Sequence, residues 1–149
     1  MLRKNETHLR VRYEETDQMR VAYHANYLVW FEVGRTELMR EIGLPYLEFE
    51  KSGLLLPVLK AYCEYKHAAH YDDQLKVVTR LSNLQKVRLT FDYEIRREGQ
   101  LLARGYTEHA FIDERGKPVA LKRFSPFLWN RLCQALEKPG GKGEDFHNG

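Results

Sequence analysis

Between Tyr13 and Glu37 the sequence reads YEETDQMRVAYHANYLVWFEVGRTE. It offers an acidic residue, Asp17, then a short polar loop, a histidine, His24, and the start of a long apolar run. A carboxylate and an imidazole delivered to a helix N-terminus are parts for acyl-transfer chemistry. The helix end adds unpaired backbone N–H groups and a partial positive charge, and both suit a developing oxyanion. Each residue also has a plain reading. An aspartate in a loop satisfies its own turn, and a histidine at a helix start bonds to backbone. Spacing alone does not separate these readings.

The elements around the stretch must hold it in place. Leu9, Val11 and Tyr13 alternate with charged residues, which predicts a half-buried strand over His8 to Glu15, broken by a loop from Glu14 to Arg20. From Asn26 the period turns helical, with Tyr27, Phe31, Gly34, Leu38 and Ile42 at spacings of three and four. Asn26 is the expected N-cap, and Gly43 before Leu44-Pro45 the expected stop. Gly34 lowers helix propensity, so its presence implies a helix backbone packed closely on a sheet. Glu32 and Arg35, three apart, read as a structural ion pair.

Tyr46 to Gly53 reads as a connecting turn with a helical piece. Four strand-like runs follow, over 55–65, 74–84, 87–95 and 101–112, with Glu98-Gly99 as a hairpin turn. Asp113 to Lys117 is a second turn, leading into a short run over 118–122. Ser125-Pro126 opens a capped helix carrying Leu128, Leu132 and Leu136. The order of elements predicts an α+β domain over 1–137. An antiparallel sheet of about five strands wraps around one long central helix, with a short C-terminal helix. Residues 138–149 have no pattern and read as a disordered tail.

Composition narrows the function classes. The net charge of +3 is only mildly basic and gives no dense patch for nucleic acid. Cys63 and Cys133 form no CxxC pair, which points to a reducing compartment. No apolar run resembles a secretory leader or approaches the ~20 residues of a transmembrane span, so a cytoplasmic location is expected. His67, His70 and Asp72 are dense but lack a fourth spaced ligand, so no metal is expected.

The residues Tyr13, Thr16-Asp17, Val21, Tyr23-His24-Ala25-Asn26-Tyr27, Glu32 and Arg35 together resemble a known family. It is the hot-dog-fold acyl-CoA thioesterases, and within it the 4-hydroxybenzoyl-CoA type and its Tol–Pal-associated bacterial relatives. The resemblance runs over about Leu9 to Phe124. It implies a hot-dog fold, at least a homodimer and up to a homotetramer, and hydrolysis of acyl-CoA thioesters to free acid and coenzyme A. Coenzyme A enters as part of the substrate, with no metal or redox cofactor. The resemblance makes Asp17 a nucleophile or a general base, and leaves both open. His24 orients water or donates to the thioester, and Tyr13 and Tyr23 are read as pocket walls or core. Lys86, Arg88, Lys122, Arg123 and Ser125 are the candidates for holding coenzyme A. Arg20 stands where the family has glycine, which implies another loop path or an arginine held by a specific contact. Two other readings fit the same fold: a non-catalytic acyl-CoA sensor or scaffold, and a thioesterase acting on acyl-carrier protein.

Overall fold

The computed structural model describes residues 4–136. Five strands, β1 (Lys4–Arg10), β2 (Val58–Tyr65), β3 (Gln74–Leu84), β4 (Arg88–Arg97) and β5 (Gln100–Ala110), form one antiparallel sheet in the order β1-β3-β4-β5-β2. Helix α1 (Asn26–Glu41) lies on one face of it, followed by the short α2 (Tyr46–Lys51). One turn of helix, α3 (Leu121–Phe124), and then α4 (Pro126–Ala135) close the described chain. This is the α+β arrangement that the element order predicts and the hot-dog fold that the resemblance implies. No helix among the described residues is long and apolar enough to cross a membrane.

The close approach of α1 to the sheet depends on Gly34. A Cβ built there would fall 2.3 Å from Thr79 Oγ1 and 2.8 Å from Val77 Cγ1, so any side chain would push the helix off β3. Next to this contact Phe31 stacks on Tyr93 of β4, with centroids 4.2 Å apart. The β4–β5 hairpin has two central residues, Glu98 and Gly99, at φ 49° and 84°. That left-handed pair matches the twist of the flanking strands.

Four expectations need correction. The first strand ends at Arg10, because the Arg12 amide donates to Glu15 Oε1 at 2.8 Å and a 3-10 turn forms over Tyr13–Glu15. Asn26 is not the cap of α1. Ala25 holds that position, and Asn26 Nδ2 instead donates to the Glu15 carbonyl at 2.9 Å. Glu32 and Arg35 do not pair. Arg35 shares the sheet-facing side of α1 with Phe31, four residues before it, and is 9% exposed; its Nη1 donates to Tyr93 Oη at 3.5 Å while Glu32 faces solvent. The run over 118–122 makes a single bridge, Ile112 with Pro118, before α3 begins. The proposed tail over 138–149 lies outside the described residues.

Candidate active site

Glu15 organises the approach to α1. Its carboxylate is 7% exposed. Beyond the Arg12 amide, it accepts from Trp30 Nε1–H at 3.1 Å and pairs with the Arg12 guanidinium at 3.6 Å. Its carbonyl accepts from the Tyr23 amide at 2.8 Å as well as from Asn26. One residue thereby ties the 3-10 turn, the end of the following loop and the first turns of α1 together. Sequence reasoning misses Glu15, although its spacing from residue 12 is that of a carboxylate reaching back to an N-cap amide.

Between these anchors stands a small hairpin. Thr16 pairs with Ala22, the Asp17 amide donates to the Val21 carbonyl at 3.0 Å, and the Arg20 amide donates to the Asp17 carbonyl at 2.9 Å. Loops of this kind close on a residue in the left-handed region, a position that favours glycine. Arg20 takes it, at φ 67°. Arginine therefore follows the path that glycine would allow, and the other loop path is not adopted. Nor does a contact hold it: Arg20 is exposed, and its guanidinium has no partner among the described residues.

Asp17 fits both of its readings. Its Oδ1 accepts from the Met19 amide at 2.8 Å, which braces the turn. Its Oδ2 makes no bond among the described residues. The hairpin is stitched to the segment before β3, where Val21 pairs with His70 and the Ala22 amide donates to Ala69 at 2.8 Å.

At the start of α1 the amides of Asn26, Tyr27 and Leu28 donate to the carbonyls of Tyr23, His24 and Ala25 at 2.9, 3.2 and 3.2 Å. The amides of His24 and Ala25 make no bond among the described residues. Two free donors thus stand at the positive end of a 16-residue helix. His24 is exposed. Its ring leans on Tyr23 with centroids 4.5 Å apart, and its carbonyl accepts from Tyr65 Oη at 3.1 Å.

An open cavity of about 260 Å³ adjoins His24, lined also by Ala22, Tyr27, Tyr65, Lys66, His67 and Ala68. Tyr27 and Tyr65 meet edge to face in its wall, 5.0 Å apart. Burial raises the Tyr27 phenol and pushes that of Tyr65 up to about 12, so both stay neutral near pH 7. Burial also pushes the Cys63 thiol up to about 11, too high for a thiolate nucleophile. Tyr13 does not border this cavity; its ring meets the edge of Tyr71 at 5.7 Å. Tyr23 touches the site through His24. The sequence reading does not place Tyr27, Tyr65 or His67 in a pocket, because periodicity says nothing of which loop and helix end fold over β2.

The dense HAAHYD segment does not converge. His70 faces Asp73 at 3.7 Å, Asp72 faces Arg10 at 3.6 Å, and His67 points to the cavity.

The basic candidates lie elsewhere. The Leu121 amide donates to the Lys86 carbonyl at 3.1 Å, which pins α3 to the β3–β4 turn and brings Lys86, Lys122 and Arg123 to one corner. Arg88 is turned to Glu108, 3.3 Å away, and Ser125 Oγ caps α4 by accepting from the Leu128 amide at 3.3 Å. The Asp17 hairpin joins the chain just before β3, whereas Lys86 follows its last residue. Between these two places β3 runs for 11 residues, roughly 35 Å at ~3.3 Å per residue.

Known proteins share this architecture and much of its sequence. The family described as "Thioesterase-like superfamily" matches residues 11–132. The Bacillus subtilis protein YneP is 36% identical over 132 residues, covering 87% of this chain and 95% of that one. The acyl-CoA thioesterase YbgC of Haemophilus influenzae is 33% identical over 117 residues, covering 77% and 86%. A DHNA-CoA thioesterase from Staphylococcus aureus superposes with a TM-score of 0.84 at 34% identity, over 88% of this chain and 89% of that one. The chain therefore belongs to the thioesterase-like superfamily, as a hot-dog-fold acyl-CoA thioesterase.

Proposed function

We propose that this enzyme hydrolyses acyl-CoA thioesters at the Asp17 hairpin, using the free Oδ2 of Asp17 against a carbonyl polarised by the amides of His24 and Ala25. The observation that carries this reading is that one braced loop holds both a carboxylate oxygen without a partner, on Asp17, and two helix-end amides without partners, on His24 and Ala25, among the described residues. Asp17 acts in one of two ways. As nucleophile its carboxylate attacks the carbonyl carbon, the C–S bond breaks, coenzyme A leaves as thiolate, and water hydrolyses the resulting anhydride. As general base it takes a proton from a water whose oxygen attacks instead. A thiol of pKa ~8.5 is a good leaving group, so neither route needs a strong acid. His24, at the mouth of the cavity, orients the water or donates to the thioester. Tyr23, packed on the His24 ring, serves as a pocket wall, and the enzyme works without metal or redox cofactor.

The nucleotide end of the substrate is held by Lys86, Lys122 and Arg123, with Arg88 and Ser125 at the margin. A pantetheine arm does not span the length of β3, so both ends of one substrate are served only if a second copy supplies the basic corner. The two edges of the sheet differ in a way that supports such a homodimer. The β1 edge carries Lys4, Glu6, His8 and Arg10, whereas the β2 edge exposes Val58, Leu59, Tyr62 and Tyr65. An open apolar edge is a pairing surface, and a charged one resists pairing. The free cysteines, Cys63 and Cys133, suit the cytoplasm.

The test is thiol release by the purified protein from short, long and aromatic acyl-CoAs, and from the same acyl groups on acyl-carrier protein. Turnover with higher kcat/KM on acyl-CoA supports the reading. Tight acyl-CoA binding with no hydrolysis of any thioester would replace it with a sensor.

A further inference from the structure

The corner at the β3–β4 turn joins two features that charge alone does not explain. Lys86, Lys122 and Arg123 are exposed, and their side chains have no ion pair or hydrogen bond among the described residues. Directly after them come Phe124 and Phe127, 43% and 60% exposed.

Phe127 is held in a particular way. Ser125 caps α4 and Pro126 opens it, which sets the backbone of Phe127 in the first turn. One turn later the guanidinium of Arg131 lies over the Phe127 ring, 5.4 Å from its centroid. Arg131 is itself anchored, since its Nη1 donates to the Ile42 carbonyl at the end of α1 at 3.4 Å. A cation thus backs the ring while most of the side chain stays open to solvent. A backed, pre-positioned aromatic ring beside three unpaired cations is the combination that binds a base and its phosphates.

We propose that Phe127, backed by Arg131, is a stacking platform for the adenine of coenzyme A, whose phosphates lie on Lys86, Lys122 and Arg123. This rests on the acyl-CoA reading above and adds to it the residue that recognises the base. Three free cations match a diphosphate and a 3′-phosphate. An anionic membrane surface calls for a denser cluster, about 4–8 basic residues.

Adenosine 3′,5′-bisphosphate, the nucleotide end of coenzyme A, is the direct probe. Calorimetric titration should show saturable binding to the wild type, weakened about tenfold or more in Phe127→Ala and largely kept in Phe127→Trp. In kinetics, Phe127→Ala should raise KM for an acyl-CoA by a similar factor and leave the KM of the matching acyl-pantetheine unmoved, because that substrate lacks the nucleotide. Equal effects on the two substrates, or unaltered bisphosphate binding in Phe127→Ala, would overturn the proposal. So would Phe127-dependent binding to phosphatidylserine vesicles without any change in the KM for acyl-CoA. If the wild type hydrolyses no acyl-CoA at all, the hydrolase reading fails, and the bisphosphate titration still decides whether the platform exists.

Discussion

His109 and Thr107 are joined inside the core by a bond of 2.8 Å between Nε2 and Oγ1, and the groups beyond them set its direction. His109 Nδ1 faces the Leu56 carbonyl at 3.1 Å; a carbonyl only accepts, so Nδ1 carries the proton and Nε2 accepts from Thr107. Thr107 in turn accepts from Tyr93 Oη at 2.5 Å, and Tyr93 accepts from Arg35. One line of donors therefore crosses from α1 through β4 and β5 to the segment before β2.

Acid should break this line. Burial lowers the His109 pKa from its ordinary 6.5 to about 4, so on acidification the unfolded chain takes up its proton first. The contribution to stability is complete above pH ~6.5 and is lost as pH falls towards 4, by up to about 3 kcal/mol. Denaturant unfolding at pH 7 and pH 4.5 should show this loss in the wild type and a smaller one in His109→Gln. Identical pH dependence in both proteins would remove His109 from the explanation.

Glu15 is the second prediction. Glu15→Ala leaves the Trp30 indole and the Arg12 amide without their acceptor, and the buried indole N–H alone costs about 1–3 kcal/mol. The thermal midpoint and kcat should fall together, because the same residue braces the Asp17 hairpin. Trp30→Phe removes one of these bonds and should lower both by less. An unchanged midpoint in Glu15→Ala would contradict the bracing role.

Gly34→Ala gains about 1 kcal/mol of helix propensity but overfills the contact with Thr79, at a cost of about 1–3 kcal/mol. Net destabilisation is expected by chemical denaturation. Thr79→Ala, which removes the crowded and unpartnered Oγ1, should restore much of it in the double variant. Additive losses would show that the two sites do not touch in solution.

Arg20→Gly relieves left-handed strain and loosens the unfolded chain, two effects of about 1 kcal/mol and opposite sign. The midpoint should move little, while Arg20→Val should lose several degrees. Across a panel of acyl-CoAs, Arg20→Gly should reorder kcat/KM and leave at least one substrate with its normal kcat. A uniform fall over the whole panel would put Arg20 in the catalytic machinery.

These predictions lean on different amounts of sequence. The bounds of β3 are legible because Leu75, Val77, Thr79 and Leu81 recur at every second position, with Lys76 and Arg80 between them, on a strand flanked on both sides. Gly34 announces a close helix–sheet contact, and Gly43 announces a helix end, each because the backbone geometry excludes larger residues. Tertiary partners decide the rest. Nothing local tells that Glu15 is buried under Trp30, that Arg35 turns inward to Tyr93, or that Tyr65 reaches the His24 carbonyl. In each case the partner is 15 or more residues away, so the contact exists only once α1 has docked. The motif singles out Asp17 and His24 as candidates, yet the bond from the Met19 amide that leaves one oxygen of Asp17 free is visible only in the folded loop.

The central claim is that Asp17 does the chemistry, and Asp17→Asn tests it most directly. Asparagine keeps an oxygen for the Met19 amide, so the hairpin and the thermal midpoint should persist. The variant loses the charge that attacks the thioester or takes the proton from water. We predict that kcat on the best acyl-CoA substrate falls about a hundredfold or more, while affinity for coenzyme A stays near that of the wild type. A folded variant with near-normal kcat would contradict the account.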